Sequence, residues 1–424
     1  MKSWIVVSSI LLAACDTDPY QNAPQFPQGH GEGEPPVEWH VGLGTALEEH
    51  VHEGMATQDG GYIAIGHTAE REGSGAKLDI LIVKTDATGT ERWQRRVGES
   101  GAHDVGIAIA ETTDGYVAGG GLQWEGRQQR VLMKFDREGQ LLWQQVYPNE
   151  GVGAVRGIEV LADGSIVSTG YVQEGEEGFL FIAEGRGFLL KTDAAGEVLW
   201  DRTLEIAQGT KLRTREEGGF TILSTDFVDA VETTNVGLTH TDAMGIVEET
   251  RYYGGNNEVQ AFDFDDTADG GFVFAGHTLG YGVENWDCLM GRVDAEGELL
   301  WTKVFGQPRG YDAKIIHDEC YGIRSTPDGG VVMAGGTGDE VASNQNGHPS
   351  GPSSEWKNYV VRTDGDGEMV WTGVYGDGAQ AGNNAAEYLA LTEDGGFILF
   401  TDSDSVESEV EPNHFGFMKL GPEE

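Results

Sequence analysis

Residues 79–97 read DILIVKTDATGTERWQRRV. The run Ile80-Leu81-Ile82-Val83 is continuously apolar, as expected of a strand covered on both faces by neighbouring sheets. A turn, Asp86-x-x-Gly89, follows, and then a second strand that carries Trp93. The same Asp-x-x-Gly-x-x-x-Trp unit recurs at Asp136-Gly139-Trp143, Asp193-Gly196-Trp200, Asp294-Gly297-Trp301 and Asp364-Gly367-Trp371. A further copy, Asp242-Gly245-Glu249, keeps the turn and has Glu in place of Trp. Two residues before each Asp stands a basic or imidazole side chain: Lys84, Lys134, Lys191, His240, Arg292 and Arg362, with Lys419 as the seventh equivalent. Asp and base share a strand face at this spacing, so turn bonds and local ion pairs are expected of them.

A second mark repeats with a similar period, an acidic-Gly pair that opens an apolar strand: Asp59-Gly60, Asp114-Gly115, Asp163-Gly164, Glu217-Gly218, Asp269-Gly270, Asp328-Gly329 and Asp394-Gly395. Asp-Gly between apolar segments signals a tight hairpin, because Gly adopts the positive φ that such turns need. In the first complete unit the expected strands are 51–57, 62–67, 79–84 and 91–97, and no helical periodicity interrupts them. Seven units of four short strands predict an all-β chain folded as a single seven-bladed β-propeller of antiparallel blades. The last unit has only three strands, while Val37-Glu38-Trp39-His40-Val41-Gly42 looks like an orphan fourth. Pairing of the N-terminal strand with the last three would close the ring and leave no open sheet edge.

With their Asp-Gly-Gly-aromatic opening and Gly-x-x-x-Trp close, the units resemble the tryptophan-docking, quinoprotein-like propellers, and are similar to repeats of uncharacterised bacterial lipoproteins. The resemblance covers the chain after residue 36 and implies that each Trp packs against the neighbouring blade. It implies little about function, because propellers host enzymes, scaffolds and receptors alike. Quinoprotein enzymes of that kind bring eight blades and vicinal cysteines; here the units number seven and no two cysteines adjoin, so a quinone cofactor is not expected.

Ahead of the repeats, Met1 and Lys2 precede an apolar run, Trp4 to Leu12, too short to span a bilayer and of the kind removed as an export signal. It ends in Leu12-Ala13-Ala14-Cys15, which resembles a bacterial lipobox and implies that Cys15 carries the lipid anchor. Residues 16–36 are polar and rich in Pro and Gly and read as a flexible tether. The expected organisation is thus a signal over 1–15, a tether over 16–36 and the propeller over 37–424, lipid-anchored in a bacterial cell envelope with the body periplasmic or extracellular. With 71 acidic against 27 basic residues the formal charge is −44, which disfavours nucleic acid and anionic surfaces as partners. Cys288 and Cys320 could pair in such an oxidising compartment.

Six tryptophans (Trp39, Trp93, Trp143, Trp200, Trp301, Trp371) fall at one place in the repeat, which assigns them to packing between blades rather than to a ligand. Residues at the start of each first strand would surround the mouth of a central channel. From these, Glu49, His52, Asp104, Asp318 and Glu319 are the candidate cation ligands: carboxylates suit calcium, and histidines shift the preference towards zinc or copper. Insertions over 174–187, 279–286 and 336–356 would decorate one rim if all join second to third strands; Tyr281, Trp286, His348 and Trp356 are its candidate contacts for a partner. No phosphate loop and no Gly-x-Ser-x-Gly elbow is present, and Gly119-Gly120-Gly121 fits neither. The expected role is a protein-interaction or ligand-binding module for an envelope protein or extracellular ligand, without a cofactor beyond calcium. The alternatives are a hydrolase or lyase on an extracellular polymer, using carboxylate and His groups at the channel mouth, and a calcium-dependent structural protein. A tight cluster of such groups with displaced titration would favour the enzyme, an open acidic funnel the binding module.

Overall fold

A computed structural model describes residues 30–423 except 32, 46, 72–76, 99–100, 175–184, 217, 310–315, 340–355, 377–383 and 404–413. The described residues contain no helix and form seven four-stranded antiparallel sheets arranged as a seven-bladed propeller. Blade 1 comprises Glu49–Ala56, Tyr62–Ala69, Leu78–Thr85 and Glu91–Val97, from the channel outwards. These strands match the expected four to within two residues at each end. The innermost strands of blades 2 to 7 are Val105–Thr112, Val152–Val160, Gly209–Thr214, Val259–Asp266, Ile316–Ser325 and Asn384–Leu391. Blade 7 takes its outermost strand from the other end of the sequence: Val37–Leu43 pairs with His414–Leu420, with Trp39 opposite Lys419. A short additional strand, His30–Gly31, lies against the outer strand Met369–Tyr375 of blade 6.

The core is distributed rather than central. Each adjacent pair of blades encloses an apolar cluster, such as Ile63, Ile65, Ile80 and Ile82 of blade 1 against Ile109, Tyr116 and Met133 of blade 2. The seam between blades 7 and 1 is built in the same way, from Phe400, Phe415 and Phe417 against Val51, Leu81 and Val83. The uninterrupted apolar runs follow from this, since both faces of a third strand meet a neighbouring sheet. A disulfide joins Cys288 on the third strand of blade 5 to Cys320 on the inner strand of blade 6.

The repeated residues clamp one blade to the next. Trp93 donates from Nε1 to the Arg137 carbonyl at 2.9 Å and lies over Gly139, the turn glycine of blade 2. Gly139 has φ +76°, and a β-carbon there would stand 2.6 Å from the indole, so both backbone and packing select glycine. Trp39 on Gly89, Trp143 on Gly196, Trp200 on Gly245 and Trp301 on Gly367 repeat the contact. Where Glu249 replaces Trp, the guanidinium of Arg251 covers Gly297 and pairs with Glu249 and Glu298, each at 3.1 Å.

One local expectation changes. The turn aspartates do bond their own turns, as Asp86 does with the N–H groups of Thr88 and Thr90. The basic residue two positions earlier, however, reaches the other mark: Lys84 pairs with Asp59 at 3.0 Å, Arg292 with Asp269 at 2.8 Å, and Arg362 with Asp328 at 2.6 Å. The third strand runs beside the second, so its last basic side chain lies over the acidic-Gly hairpin that opens the second. The two sequence marks are therefore halves of one contact.

Removing residues 37–43 should leave the seam between blades 7 and 1 uncovered and abolish cooperative thermal unfolding followed by circular dichroism; a melting curve like that of the intact protein would refute closure by this strand. Trp371 is fully buried and donates to Glu423 at 2.6 Å. Trp371→Ala should cost about 3–5 kcal/mol in denaturant unfolding, and more than Trp143→Ala, whose indole is half-buried.

Candidate functional site

All seven inner strands carry a β-bulge at the same level. The register slips between Val51 and Glu53, and at the equivalent point in every other blade, so that one residue per strand has no partner in the second strand. These residues are His52, Ile107, Arg156, Thr210, Phe262, Tyr321 and Glu387, and together they line a cavity of about 60 Å³ in the channel. A bulge bends the strand and re-aims a side chain, which is how a sheet edge can present one residue to the axis. The displaced backbone presses on the second strand: a β-carbon on Gly66 would lie 1.9 Å from the carbonyl oxygen of His50, and one on Gly120 1.9 Å from that of Val105. The Gly119–Gly121 run is thus strand, with Gly120 opposite the bulge.

One residue further along the inner strands stand Glu53, Lys211 and Asp263, and there one ion pair crosses the channel while a second joins neighbouring blades. Lys211 of blade 4 reaches Glu53 of blade 1 at 2.8 Å, and Arg324 of blade 6 reaches Asp263 of blade 5 at 2.5 Å. The ring of Tyr388 sits between the two cations, 4.9 Å from the Lys211 ammonium and 4.8 Å from the Arg324 guanidinium. Burial opposes charge on both members: it raises Glu53 against the pull of Lys211, while Glu53, Tyr388 and Asp263 raise Lys211 against its own burial. Blades 1 and 4 face each other across the axis, and this cross forms the floor of the cavity.

Above it, blades 7 and 1 bring together a compact group. The inner strand of blade 1 supplies His50 and His52, its second strand His67, the inner strand of blade 7 Glu387 and its second strand Asp402. His50 Nδ1 contacts an Asp402 carboxylate oxygen, and the other oxygen accepts the Val51 N–H at 2.9 Å. Donor atoms of His50, Glu387 and Asp402 all lie within 4.8 Å of one another. His52 Nε2 and His67 Nδ1 stand 3.1 Å apart. Burial alone would lower the His50 imidazole, but Asp402, with Glu387 and Glu319 nearby, lifts it to about 9. Burial and the neighbouring His50 push His67 down to about 3, and burial with His50 and His67 holds His52 well below the usual range. Burial, with Asp402 and Glu319, raises Glu387 despite His50.

On blades 5 and 6 the wall becomes aromatic and continues outwards. Phe262 meets Tyr321 at 4.8 Å and His277 at 4.9 Å between ring centroids; His277 meets Trp286 at 4.8 Å, and His317 meets Trp356 at 5.8 Å. Glu319 accepts from the Tyr321 hydroxyl and pairs with His317 at 3.0 Å.

Of the residues singled out from sequence, His52 stands in the channel ring and Glu319 at its mouth, within electrostatic reach of His50 and Glu387. Glu49, Asp104 and Asp318 lie elsewhere, as buried carboxylates that accept backbone N–H groups: Glu49 from Thr45 at 2.5 Å, Asp104 from Gln123, and Asp318 from Gln307 at 2.7 Å. Trp286 and Trp356 belong to the aromatic wall, Tyr281 is exposed at φ +57°, and Cys15 and His348 lie outside the described residues. The three insertions all fall between a second and a third strand, whose joined ends share a face. Sequence reasoning did not pick out Glu387 or Asp402, nor His67. A signal for them existed: every channel-ring residue stands seven positions before its acidic-Gly mark, and His67, His277 and Asp402 stand eight after theirs.

Burial, with Asp287 beside it, pushes Asp318 up to about 7 against the hydrogen bonds from Thr337 and Gln307. A carboxyl raised by folding leaves stability intact below the unfolded value near 4 and lowers it as pH rises towards 7. Asp318→Asn should therefore stabilise the protein at pH 8, by on the order of 1–3 kcal/mol, and give no gain at pH 4. Calorimetry of both proteins at the two pH values measures the difference; an equal shift at each would exclude the carboxylate charge as its cause.

No protein-family description and no curated protein matches the chain. Among solved structures it is similar to the WD40 β-propeller domain of Doa1, at 12% identity and TM-score 0.52 over 91% of this chain and 97% of the other. It is also similar to the Pan2 WD40 domain of Neurospora crassa, at 12% identity and TM-score 0.55 over 94% and 98%. A third is a YCF48 structure bound to D1 peptide, at 11% identity and TM-score 0.50 over 92% and 100%. At these identities the likeness is one of fold, and the fold it shows is the seven-bladed β-propeller.

Proposed function

We propose that this protein is an envelope-tethered binding propeller that recognises its partner on the face bearing the second-to-third-strand loops. The observation that carries the reading is the aromatic wall running from Phe262 and Tyr321 in the channel to Trp286 and Trp356 on that face. Aromatic side chains offer large rigid contact areas and are enriched at recognition sites. The ion-pair cross beneath leaves a cavity of about 60 Å³, enough for a few waters or one ion. A macromolecule would therefore engage the mouth and rim rather than thread the channel. The YCF48 structure, bound to D1 peptide, is a precedent for a peptide ligand on a structure of similar fold. An anchor at Cys15 would hold the body at a membrane, and the buried Cys288–Cys320 disulfide suits an oxidising compartment. No helix among the described residues is long and apolar enough to cross a membrane.

A hydrolase or lyase is the second reading, favoured by the contact of His50 with Asp402 beside Glu387, a geometry suited to acid and base roles. Its polymer would have to approach from the same mouth.

Affinity capture from envelope extract separates the two readings. The binding reading expects a specific protein retained by the native body and lost with Trp286→Ala or Tyr281→Ala, with unchanged circular dichroism. Retention indifferent to both substitutions would remove the rim from the proposal, and release of shortened saccharide or peptide products, abolished by Asp402→Asn, would select the hydrolytic reading.

A further inference from the structure

We propose that His50, His52 and His67, with Asp402 or Glu387, form a binding site for one divalent transition-metal ion of the zinc class. The proposal stands apart from any partner on the rim. A tetrahedral zinc ion bound at about 2.0–2.1 Å places its ligand atoms about 3.3 Å apart. His52 Nε2 and His67 Nδ1 are 3.1 Å apart, so the pair needs to open by only a few tenths of an ångström. The His50 ring lies 4.5 Å from that of His52 and 5.3 Å from that of His67, and its Nδ1 is in contact with Asp402. His50 already shares a 4.8 Å sphere with Glu387 and Asp402, so this group and the His52–His67 pair have to close on one another around the ion.

The donor set selects the ion. Calcium and magnesium take oxygen ligands, whereas imidazole nitrogens suit zinc, copper and nickel. Three imidazoles from one blade therefore turn the cation expectation away from calcium. The surroundings support a metal in two further ways. The Val51 N–H fixes one oxygen of Asp402 and leaves the other directed at His50, the kind of outer hydrogen bond that orients a ligating carboxylate. The adjoining cavity has room for the water that would complete the ion's coordination.

The test uses the protein stripped with chelator and titrated with zinc chloride in calorimetry, in the presence of excess calcium to occupy surface carboxylates. One zinc per chain, retained against calcium, is expected. His52→Ala and His67→Ala should each weaken it by on the order of 100-fold or more while leaving the metal-free circular dichroism spectrum unchanged. Cobalt(II) substitution of the unaltered protein gives a measurement independent of folding in the variants, with intense visible absorption typical of four-coordinate nitrogen and oxygen ligation expected. Zinc displaced by calcium, affinity unaffected by both substitutions, or a weak octahedral cobalt spectrum would each overturn the proposal.

Discussion

Each blade presents two apolar faces, and a sheet with two apolar faces has to be covered twice. A ring meets that requirement for every blade only if no interface is left open. The seam between blades 7 and 1 therefore carries the same demand as the other six, and the strand Val37–Leu43 meets it by entering the blade formed by the last strands of the chain. The tryptophan contacts act at the outer edge of the same interfaces. Indole on turn glycine recurs around the ring, and an Arg251 guanidinium flanked by Glu249 and Glu298 fills the place where Trp is absent. A planar cation can stand in for an indole over a glycine because what the turn excludes is a β-carbon, not a charge.

Closure also fixes the channel. Seven inner strands approach one axis, and a bulge at one level in each aims a single side chain inwards. The bulge and the small residue opposite it are a matched pair, since the displaced carbonyl leaves no room for a β-carbon at Gly66 or Gly120. Blade 4 inverts the arrangement, with Gly209 on the inner strand facing Ser224. The wall so produced is asymmetric: imidazole and carboxylate on blades 1 and 7, aromatic on blades 5 and 6.

A chain with 71 acidic and 27 basic residues places Arg156, Lys211, Arg213 and Arg324 on its inner strands. Carboxylates inside the ring, Glu53, Glu159, Asp263 and Asp265, are thereby paired. Removing one member of such a buried pair is costly because the other loses its partner in a poorly solvated place. The excess negative charge outside draws cations towards the protein, and the imidazoles beside Asp402 and Glu387 would supply nitrogen ligands that surface carboxylates lack.

The sequence by itself determined the blade number, the strand order and the closure, because turn glycines, acidic-Gly hairpins and unbroken apolar runs are local demands repeated seven times. It also contained the address of the channel ring, seven residues before each acidic-Gly mark, though only the bulge gives that position its meaning. Which polar residues meet was decided by tertiary structure alone. Glu49, Asp104 and Asp318 share the composition of a cation site, yet each is turned to a backbone N–H nearby. His50 and Asp402 stand 352 residues apart and touch because the ring brings blade 7 against blade 1. Spacing along a strand predicts the face a side chain occupies, but a contact across the axis depends on how seven strands converge, and no single repeat encodes that.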